Sequence, residues 1–274
     1  MKLVRSAEAL LRAEDLYVGR GFNEARAVAE RLRASFFVAS AGLGLVSGDT
    51  RVPAYDLTVS GTGGASIDTL LSSWSAAPAD WWMALAEAKG EVAPLCSLVE
   101  GNAHARFFIA LPSTYISLVS LDLACLSASS RRRLCIFTSP HGVDFLPASL
   151  RDRVMPYDDR LEATRWSGTR ADFAQRALRH FVDNLDAVGL PFSEAASRVR
   201  ATMQALRPRT LPTRQRKTDL EIAEMLWEKW ARFDGNASRL LRFLRDDALV
   251  SCEQSRFRRL CLSIRAKRDP IRRI

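Results

Sequence analysis

The sequence predicts an α/β fold, with a mixed or mostly parallel sheet flanked by helices and a basic helical appendage at its C-terminal end. The middle of the chain alternates short apolar runs with a longer amphipathic segment, which is typical of a strand, a crossover helix and a second strand. After residue 206 the composition changes to prolines and cations, followed by amphipathic segments with arginine-rich faces. We therefore divide the chain into an α/β core, 1–206, a basic linker, 207–217, and a basic helical segment, 218–274.

The first elements are two helices and a strand. Apolar residues recur at helical spacing up to Leu16 and again in NEARAVAERLR, which predicts a helix in each segment. The run SFFVAS is rich in aromatic and apolar residues and ends in small residues, so it predicts a buried strand that leads into a loop. A Gly/Ser/Thr-rich loop and a helix with Trp74, Trp81 and Trp82 follow, and we expect these tryptophans to cover the core.

The middle of the chain predicts two parallel strands. ARFFIALP and RRLCIFTSP have the short apolar pattern of strands, and the segment STYISLVSLDLACLSASS between them is long enough for a crossover helix. Ligands bind outside the carboxyl ends of strands in such sheets. We therefore expect three loops, SAGLG, LPSTY and TSPHG, to converge on a site.

The last quarter of the chain predicts three short helices. Thr218 and Glu221 have capping-box spacing at the start of the first helix, and Ser251 and Gln254 have the same spacing before the third. Cations line the predicted outer faces and the linker, an arrangement that resembles a helix-turn-helix bundle. The candidate nucleic-acid-binding residues are Arg214, Arg216, Lys217, Arg239, Arg242, Arg245, Arg256, Arg258 and Arg259.

The positive charge of the chain is concentrated in this region. The formal net charge is +9, and residues 198–274 contain 20 Lys and Arg against 9 Asp and Glu, whereas the preceding residues contain 20 against 22. A local basic field favours a polyanionic partner such as nucleic acid or an acidic membrane surface. The alternative is a solvated face that only aids solubility.

Other classes of protein are disfavoured. The longest apolar segment, 115–128, contains Asp122 and is shorter than the roughly 20 residues that a membrane span needs. The first residues do not have the apolar core of a secretory signal, so we expect a cytoplasmic protein without a membrane partner. The five cysteines form no CxxC pair and no phosphate-binding glycine motif is present, so we expect neither metal nor cofactor.

One stretch carries a resemblance to a known family. AEDLYVGRGFNEARAVAERL followed by FFVASAGLGLVSGDTRVPAYDLTVSG resembles the YaaA-like domains found beside 7-deazaguanine modification enzymes, over about fifty residues in two blocks. Two features depart from the pattern: the Cys-Gly or Cys-Ser strand that precedes the first block is not matched, and Ala54 is inserted before the Tyr-Asp pair. The matching residues are Ala13, Asp15, Leu16, Tyr17, Gly19, Phe22, Ser40, Ala41, Gly44, Leu45, Asp49, Pro53, Tyr55, Asp56 and Thr58.

The resemblance implies a partner and a reaction. It implies double-stranded DNA, with the target base extruded from the duplex, and other proteins of a DNA-modification cluster as partners. It also implies conversion of 7-cyano-7-deazaguanine in DNA to the 7-amido form, which is the hydration of a nitrile.

Nitrile hydration needs a base for the attacking water and a proton donor for the nitrogen. Asp49 or Asp56 is the candidate base, and Tyr55 or Ser40 is the candidate donor. A cysteine thiolate that attacks first is the weaker alternative.

Four further residues are candidates for substrate binding. Gly42 and Gly44 would let a flat base lie against the backbone, and Tyr17 and His141 would contact it. Two alternatives to an enzyme remain open. The first is a non-catalytic YaaA-like DNA-binding protein, and the second is a structural subunit of a defence or repair complex.

Overall fold

A computed structural model of the chain describes residues 10–55, 57–59, 66–72, 74–208 and 213–268. The chain forms two compact units, Met1–Arg209 and Thr210–Ile274. The strands of the first unit are β1 (Leu10–Arg12), β2 (Phe37–Ser40), β3 (Gly44–Ser47), β4 (Arg51–Pro53), β5 (Phe107–Ala110) and β6 (Leu134–Phe137). Its helices are α1 (Ala13–Leu16), α2 (Arg20–Leu32), α3 (Ile67–Leu71), α4 (Pro78–Ala88), α5 (Pro94–Glu100), α6 (Ser113–Ala124), α7 (Ala128–Arg131), α8 (Pro140–Val143), α9 (Phe173–Asn184) and α10 (Phe192–Ala205), with 3-10 helices at Ala148–Arg153 and Asp159–Ala163.

The fold is mixed α/β, and its strands form pairs. In the first unit β1 pairs with β4 and β2 with β3, both antiparallel, and β5 pairs with β6 in parallel across helix α6, as the strand and helix pattern predicts. The sequence predicts one larger sheet, whereas the described residues form only two-stranded sheets. The difference arises at β2 and β5, because each keeps one edge that no described strand covers.

Two apolar clusters enclose the β5–β6 pair. Ile109 and Ile136 belong to the cluster that includes α4 and α6, and Phe137 belongs to the cluster that includes α9. Side chains alternate along a strand, so consecutive residues of β6 enter different clusters. The β5–β6 pair is therefore apolar on both faces, as expected for a strand pair buried between helices.

A buried carboxylate connects three helices of the first unit. Asp122 on α6 is fully buried and accepts hydrogen bonds from the indole N–H of Trp82 (2.8 Å) and the backbone N–H groups of Leu95 (3.0 Å) and Cys96 (2.8 Å). The two backbone donors lie in the first turn of α5, where N–H groups have no partner within the helix. Asp122 therefore caps α5 from another helix, and the indole of α4 completes its hydrogen bonding.

The second unit consists mainly of helices. Its elements are β7 (Gln215–Arg216), α11 (Asp219–Lys229), α12 (Ala237–Arg242), a π-helical turn (Phe243–Asp247), β8 (Val250–Ser251) and α13 (Gln254–Arg268), with β7 and β8 parallel. The unit has its own apolar core. Residues 213–217, which the sequence assigns to the linker, contain strand β7 and so belong to this unit. Within the described residues, none of the helices has the length and apolar composition that crossing a bilayer requires.

The capping predictions for this unit have different outcomes. Thr218 and Glu221 form the predicted capping box: the Thr218 N–H donates to the Glu221 carboxylate (2.7 Å), and the Glu221 N–H donates to Thr218 Oγ1 (3.3 Å). The capping box predicted at Ser251 is wrong, because Ser251 lies in β8 and α13 begins only at Gln254. The spacing of the motif is present, but a short strand occupies its first position.

Candidate functional site

A cavity of about 820 Å³ lies in the first unit. It is lined along its length by residues of the strands β2 and β5, by the apolar side of α2, and by residues of α5 and α9. Most lining side chains are apolar, and the polar ones include Tyr17, Ser40, Tyr55, Tyr115 and Gln175. This volume falls within the roughly 300–1,000 Å³ of typical small-molecule sites, and a few polar groups in an apolar cavity fix ligand orientation in such sites.

Three hydroxyl groups meet in this cavity, and we call Tyr17, Ser40 and Tyr55 the hydroxyl cluster. The Tyr17 and Tyr55 hydroxyls are 2.5 Å apart, and the Tyr55 hydroxyl also hydrogen bonds to Ser40 Oγ. Ser40 Oγ accepts a further hydrogen bond from the backbone N–H of Leu43 (3.0 Å). The cluster joins residues from separate parts of the sequence resemblance, which are distant along the chain but adjacent in the fold.

Local backbone structure positions each member of the cluster. Ser40 is the last residue of β2, Tyr17 follows α1, and Tyr55 follows β4. The turn after Ser40 is fixed by the Trp81 indole N–H, which donates to the Ala41 carbonyl (2.8 Å). Gly42 lies under the Tyr55 ring, where an added Cβ would be only 3.0 Å from a ring carbon. A side chain at position 42 would therefore displace the tyrosine.

The cluster has three hydrogens for three internal contacts. The Tyr17–Tyr55 and Tyr55–Ser40 hydrogen bonds use two of them, and Ser40 also contacts the Tyr17 hydroxyl, so a ligand that accepts from the cluster replaces this third contact. Burial raises the pKa of Tyr17 well above the usual value for a phenol, and it outweighs the opposite effect of the Ser40 contact. Burial likewise raises the pKa of Tyr115. Both phenols therefore stay protonated at neutral pH and act as donors rather than as bases.

Gln175 also lines the cavity, and its amide oxygen is buried beside Gly21. Its side-chain N–H donates to the Ala110 carbonyl at the end of β5 (2.9 Å), and its buried Oε1 has no hydrogen-bond partner within the described residues. A buried acceptor without a partner costs free energy unless a ligand or water supplies a donor. The sequence analysis did not single out Gln175 or Tyr115, although Tyr115 lies in LPSTY, one of the loops predicted to converge.

The other predicted site residues lie elsewhere. Asp49 is exposed in the turn between β3 and β4 and accepts a hydrogen bond from Ser47 Oγ (2.5 Å), which lowers its pKa. Gly44 begins β3 with φ +73° and does not line the cavity, and neither does Gly42. His141 is exposed on α8, 3.5 Å from the Asp144 carboxylate. The structure therefore brings Ser40, Tyr55 and Tyr17 together in the cavity, and Gly42 packs against the Tyr55 ring without lining the cavity. Asp49, Gly44 and His141 do not join them, and Asp56 lies outside the described residues.

The described lining residues include no carboxylate, histidine or cysteine. The described part of the chain also contains no group of three or more His, Cys, Asp or Glu residues that could hold a metal ion. The polar groups of the described cavity lining are therefore hydroxyls, the side-chain amides of Asn102 and Gln175 and the Arg106 guanidinium, within a mostly apolar enclosure. The cysteine alternative finds no support in the cavity, since Cys96 and Cys135 are buried in the apolar clusters and do not line it.

The structure divides the predicted nucleic-acid-binding residues into two groups. One group is engaged within the second unit by an ion pair or a carbonyl: Arg214 with Asp246, Lys217 with Glu221, Arg245 with the Cys252 carbonyl, and Arg256 and Arg259 with Asp219. The side chains of the other group are exposed and make no hydrogen bond or ion pair with the described residues. We call this set the free arginine group, and it comprises Arg216, Arg239, Arg242 and Arg258.

Arg256 and Arg259 of the engaged group already form ion pairs with the Asp219 carboxylate. The hydrogen bond from Arg256 is the main cause of the lowered pKa of Asp219, and Arg259 adds to it. These cations are partly neutralised before any polyanion arrives. The free arginine group therefore has the larger capacity to bind phosphate.

Comparison with known proteins shows that no family model, no curated protein and no solved structure matches this chain. The resemblance to YaaA-like domains thus stays a prediction from the residues that carry it.

Proposed function

We propose that this protein modifies DNA by hydrating the nitrile of 7-cyano-7-deazaguanine to the 7-amido form. The observation that carries the proposal is the convergence of Tyr17, Ser40 and Tyr55 on one cavity. These residues come from the separate blocks that resemble YaaA-like domains. A shared functional pocket requires these three side chains to meet. If each residue only formed a turn or packed in the core, the three would not need to meet.

The hydroxyl cluster supplies the proton-donor half of the reaction. Water adds its oxygen to the nitrile carbon and loses one proton, while the nitrile nitrogen gains one, which gives an imidic acid. A second proton then passes from this oxygen to the nitrogen, and the product is the primary amide. A hydroxyl of the cluster donates to that nitrogen, in place of a contact within the cluster, as negative charge develops on the nitrogen. The apolar walls strengthen this donation because they exclude water.

The base for the attacking water has no candidate in the described lining. Asp56 directly follows Tyr55 in the chain and stays the residue that the sequence nominates for this role. The role of Asp56 is tested by substitution rather than by its position.

DNA binding is assigned to the second unit on the basis of charge. The four members of the free arginine group, whose side chains have no partner among the described residues, are suited to contact phosphates. A base must leave the duplex stack to enter an enclosed pocket, and backbone contacts hold the DNA while this occurs. In this proposal the first unit reads the modified base and the second unit contributes sequence-independent affinity.

A non-catalytic DNA-binding protein is the second candidate. It is favoured by one observation, that the described lining contains no carboxylate, histidine or cysteine. In that case the cavity recognises the modified base by donation to the nitrile and leaves it unchanged.

Incubation of the full chain with duplex DNA containing 7-cyano-7-deazaguanine distinguishes the two candidates. After digestion to nucleosides, mass spectrometry should detect the gain of one water by the modified nucleoside. The Asp56→Asn variant should lose this product and still bind the DNA. Tight binding by the unaltered protein with no change of the nucleoside would overturn the catalytic proposal and support the second candidate.

A further inference from the structure

The apolar part of the cavity is lined by residues of two strands, β2 and β5, and each strand has one edge that no described strand covers. In the β2–β3 hairpin the Gly48 N–H donates to the Phe36 carbonyl (2.8 Å), and antiparallel hydrogen-bonded pairs alternate along the strands. The main-chain groups of Val38 therefore point to β3. Those of Phe37 and Ala39 point away from β3, towards the other edge of β2.

The same analysis applies to β5. The Phe107 N–H donates to the Arg133 carbonyl (3.0 Å), and the Leu111 N–H donates to the Phe137 carbonyl (3.2 Å). The residues between them at even positions, Phe108 and Ala110, direct their main-chain groups away from β6. Of these groups only the Ala110 carbonyl has a partner in the described residues, the side chain of Gln175.

All four residues with outward-directed backbone groups line the cavity: Phe37, Ala39, Phe108 and Ala110. The far edge of β6, by contrast, is covered, since Met155 donates to the Ile136 carbonyl (2.8 Å) and Arg153 donates to the Leu134 carbonyl (3.0 Å). Phe37 is exposed and Ala39, Phe108 and Ala110 are half-buried, so water serves these main-chain groups while the cavity is open. A ligand that displaces this water must supply partners for them, because native proteins leave few buried main-chain groups without partners.

We propose that this part of the cavity is a slot for a β-strand that a separate polypeptide supplies. An inserted strand would hydrogen bond to β2 on one side and to β5 on the other, and would join the pairs β3–β2 and β5–β6 into one sheet. A small apolar ligand would fill the same space but would leave these N–H and carbonyl groups without partners, at a cost for each group. The main-chain groups therefore select a peptide over an apolar small molecule.

The lining also specifies the side chains of the strand. Val28 and Leu178 of the slot belong to the apolar cluster on one face of the β5–β6 pair, and Leu95 belongs to the cluster on the other face. A strand between two apolar layers is apolar at successive positions rather than at alternate ones. β2 and β5 are each four residues long, so the expected guest is a run of about four apolar, preferably β-branched residues.

The slot is open at one end and leaves the hydroxyl cluster free. Phe37, the first residue of β2, is 37% exposed, so a strand can enter beside it. Ser40 is the last residue of β2, and an inserted strand would end beside the cluster rather than cover it. The inference does not rest on the proposed function, because it depends only on strand edges and apolar lining.

Peptide binding to the full chain tests this inference. The probe is a capped, fluorescently labelled peptide, KKGVIVIVGKK. The control is the same peptide with N-methyl groups on the residues of its central VIVIV segment. N-methylation keeps the apolar side chains but removes the main-chain donors, so a strand slot should bind the control at least about tenfold more weakly. Amide hydrogen exchange at Ala39 and Phe108 should slow when the unmodified peptide binds.

Two results would overturn the inference. Equal binding of both peptides would show a cavity for apolar ligands, and no binding of either would show that the slot accepts no strand. The Ala39→Pro variant adds an independent check, since its lost N–H faces the slot and not β3. This variant should weaken peptide binding while the β2–β3 hairpin, monitored by hydrogen exchange at Val38, stays protected.

Discussion

Replacement of Asp122 by alanine should destabilise the first unit more than any exposed substitution. The change removes the carboxylate that accepts from the Trp82 indole and from the N–H groups of Leu95 and Cys96. All three donors would then be buried without an acceptor. Each such donor costs about 1–3 kcal/mol, so the three together cost at least about 3 kcal/mol.

That loss is large against the total stability of a domain, which is about 5–15 kcal/mol. For a unit of this size, 1 kcal/mol lowers the midpoint of thermal unfolding by about 2–4 °C, so we expect a fall of roughly 6–12 °C. Thermal unfolding followed by circular dichroism measures the fall, and amide hydrogen exchange at Leu95 and Cys96 should accelerate along with it. Asp122→Asn keeps one acceptor oxygen and should lie between the wild type and Asp122→Ala.

Asp144→Ala is the matched control, because the Asp144 side chain is 75% exposed. It should shift the midpoint by no more than about 1–2 °C, since surface substitutions change stability by about 0.5 kcal/mol or less. If Asp122→Ala shifts the midpoint no further than this control does, the assignment of Asp122 as a cap between helices is refuted.

Three further predictions concern separate parts of the molecule. Burial lowers the pKa of His180 to about 4, below its unfolded value, so the folded state binds fewer protons and stability falls as the pH drops from about 6.5 towards 4. His180→Asn should reduce the difference in unfolding free energy between pH 7 and pH 4 by up to about 3 kcal/mol, measured by urea unfolding at both pH values. An unchanged difference would contradict a histidine that is buried in its neutral form. Arg239→Gln should reduce the steepness of log K against log salt concentration for duplex DNA binding by up to about 0.9. Lys217→Gln should reduce it less, because the Lys217 ammonium already pairs with Glu221. Equal slopes for the two variants would contradict the division into engaged and free cations. Gly42→Ala should cost about 1–3 kcal/mol, because its Cβ meets the tyrosine ring. A Cβ at Gly189 has no atom within 4 Å, so Gly189→Ala should be neutral in the same unfolding assay.

The sequence predicts the regular parts of the fold because local periodicity determines them. The strand, helix and strand around α6 and the capped start of α11 at Thr218 follow from apolar spacing and from one local motif. The segment after Ser40 is different: the sequence predicts a strand that ends in a loop, and the structure has a hairpin. Gly44, the first residue of β3, allows the tight turn because its φ is positive. β3 has only four residues, which is too short to show a clear alternation of apolar and polar side chains.

The positions of Asp49 and of the Gln175 amide oxygen depend on tertiary contacts that no local pattern reveals. Tyr17 and Tyr55, which both line the cavity, were nominated by the family resemblance because it includes both. The exposed position of Asp49 was not, since an acidic residue in a turn has the same sequence signature whether it faces a pocket or solvent. The orphaned oxygen of Gln175 likewise depends on where α9 packs against the end of β5.

The central claim is that the hydroxyl cluster performs proton donation in nitrile hydration, and the most direct measurement compares two variants under single turnover. Tyr55→Phe removes one hydroxyl and keeps the ring, and Asp49→Asn changes an exposed carboxylate outside the cavity. Hydration of 7-cyano-7-deazaguanine in duplex DNA should slow by about 100-fold or more in Tyr55→Phe and stay at the wild-type rate in Asp49→Asn. Equal rates in the wild type and Tyr55→Phe, or a large loss in Asp49→Asn alone, would contradict the claim.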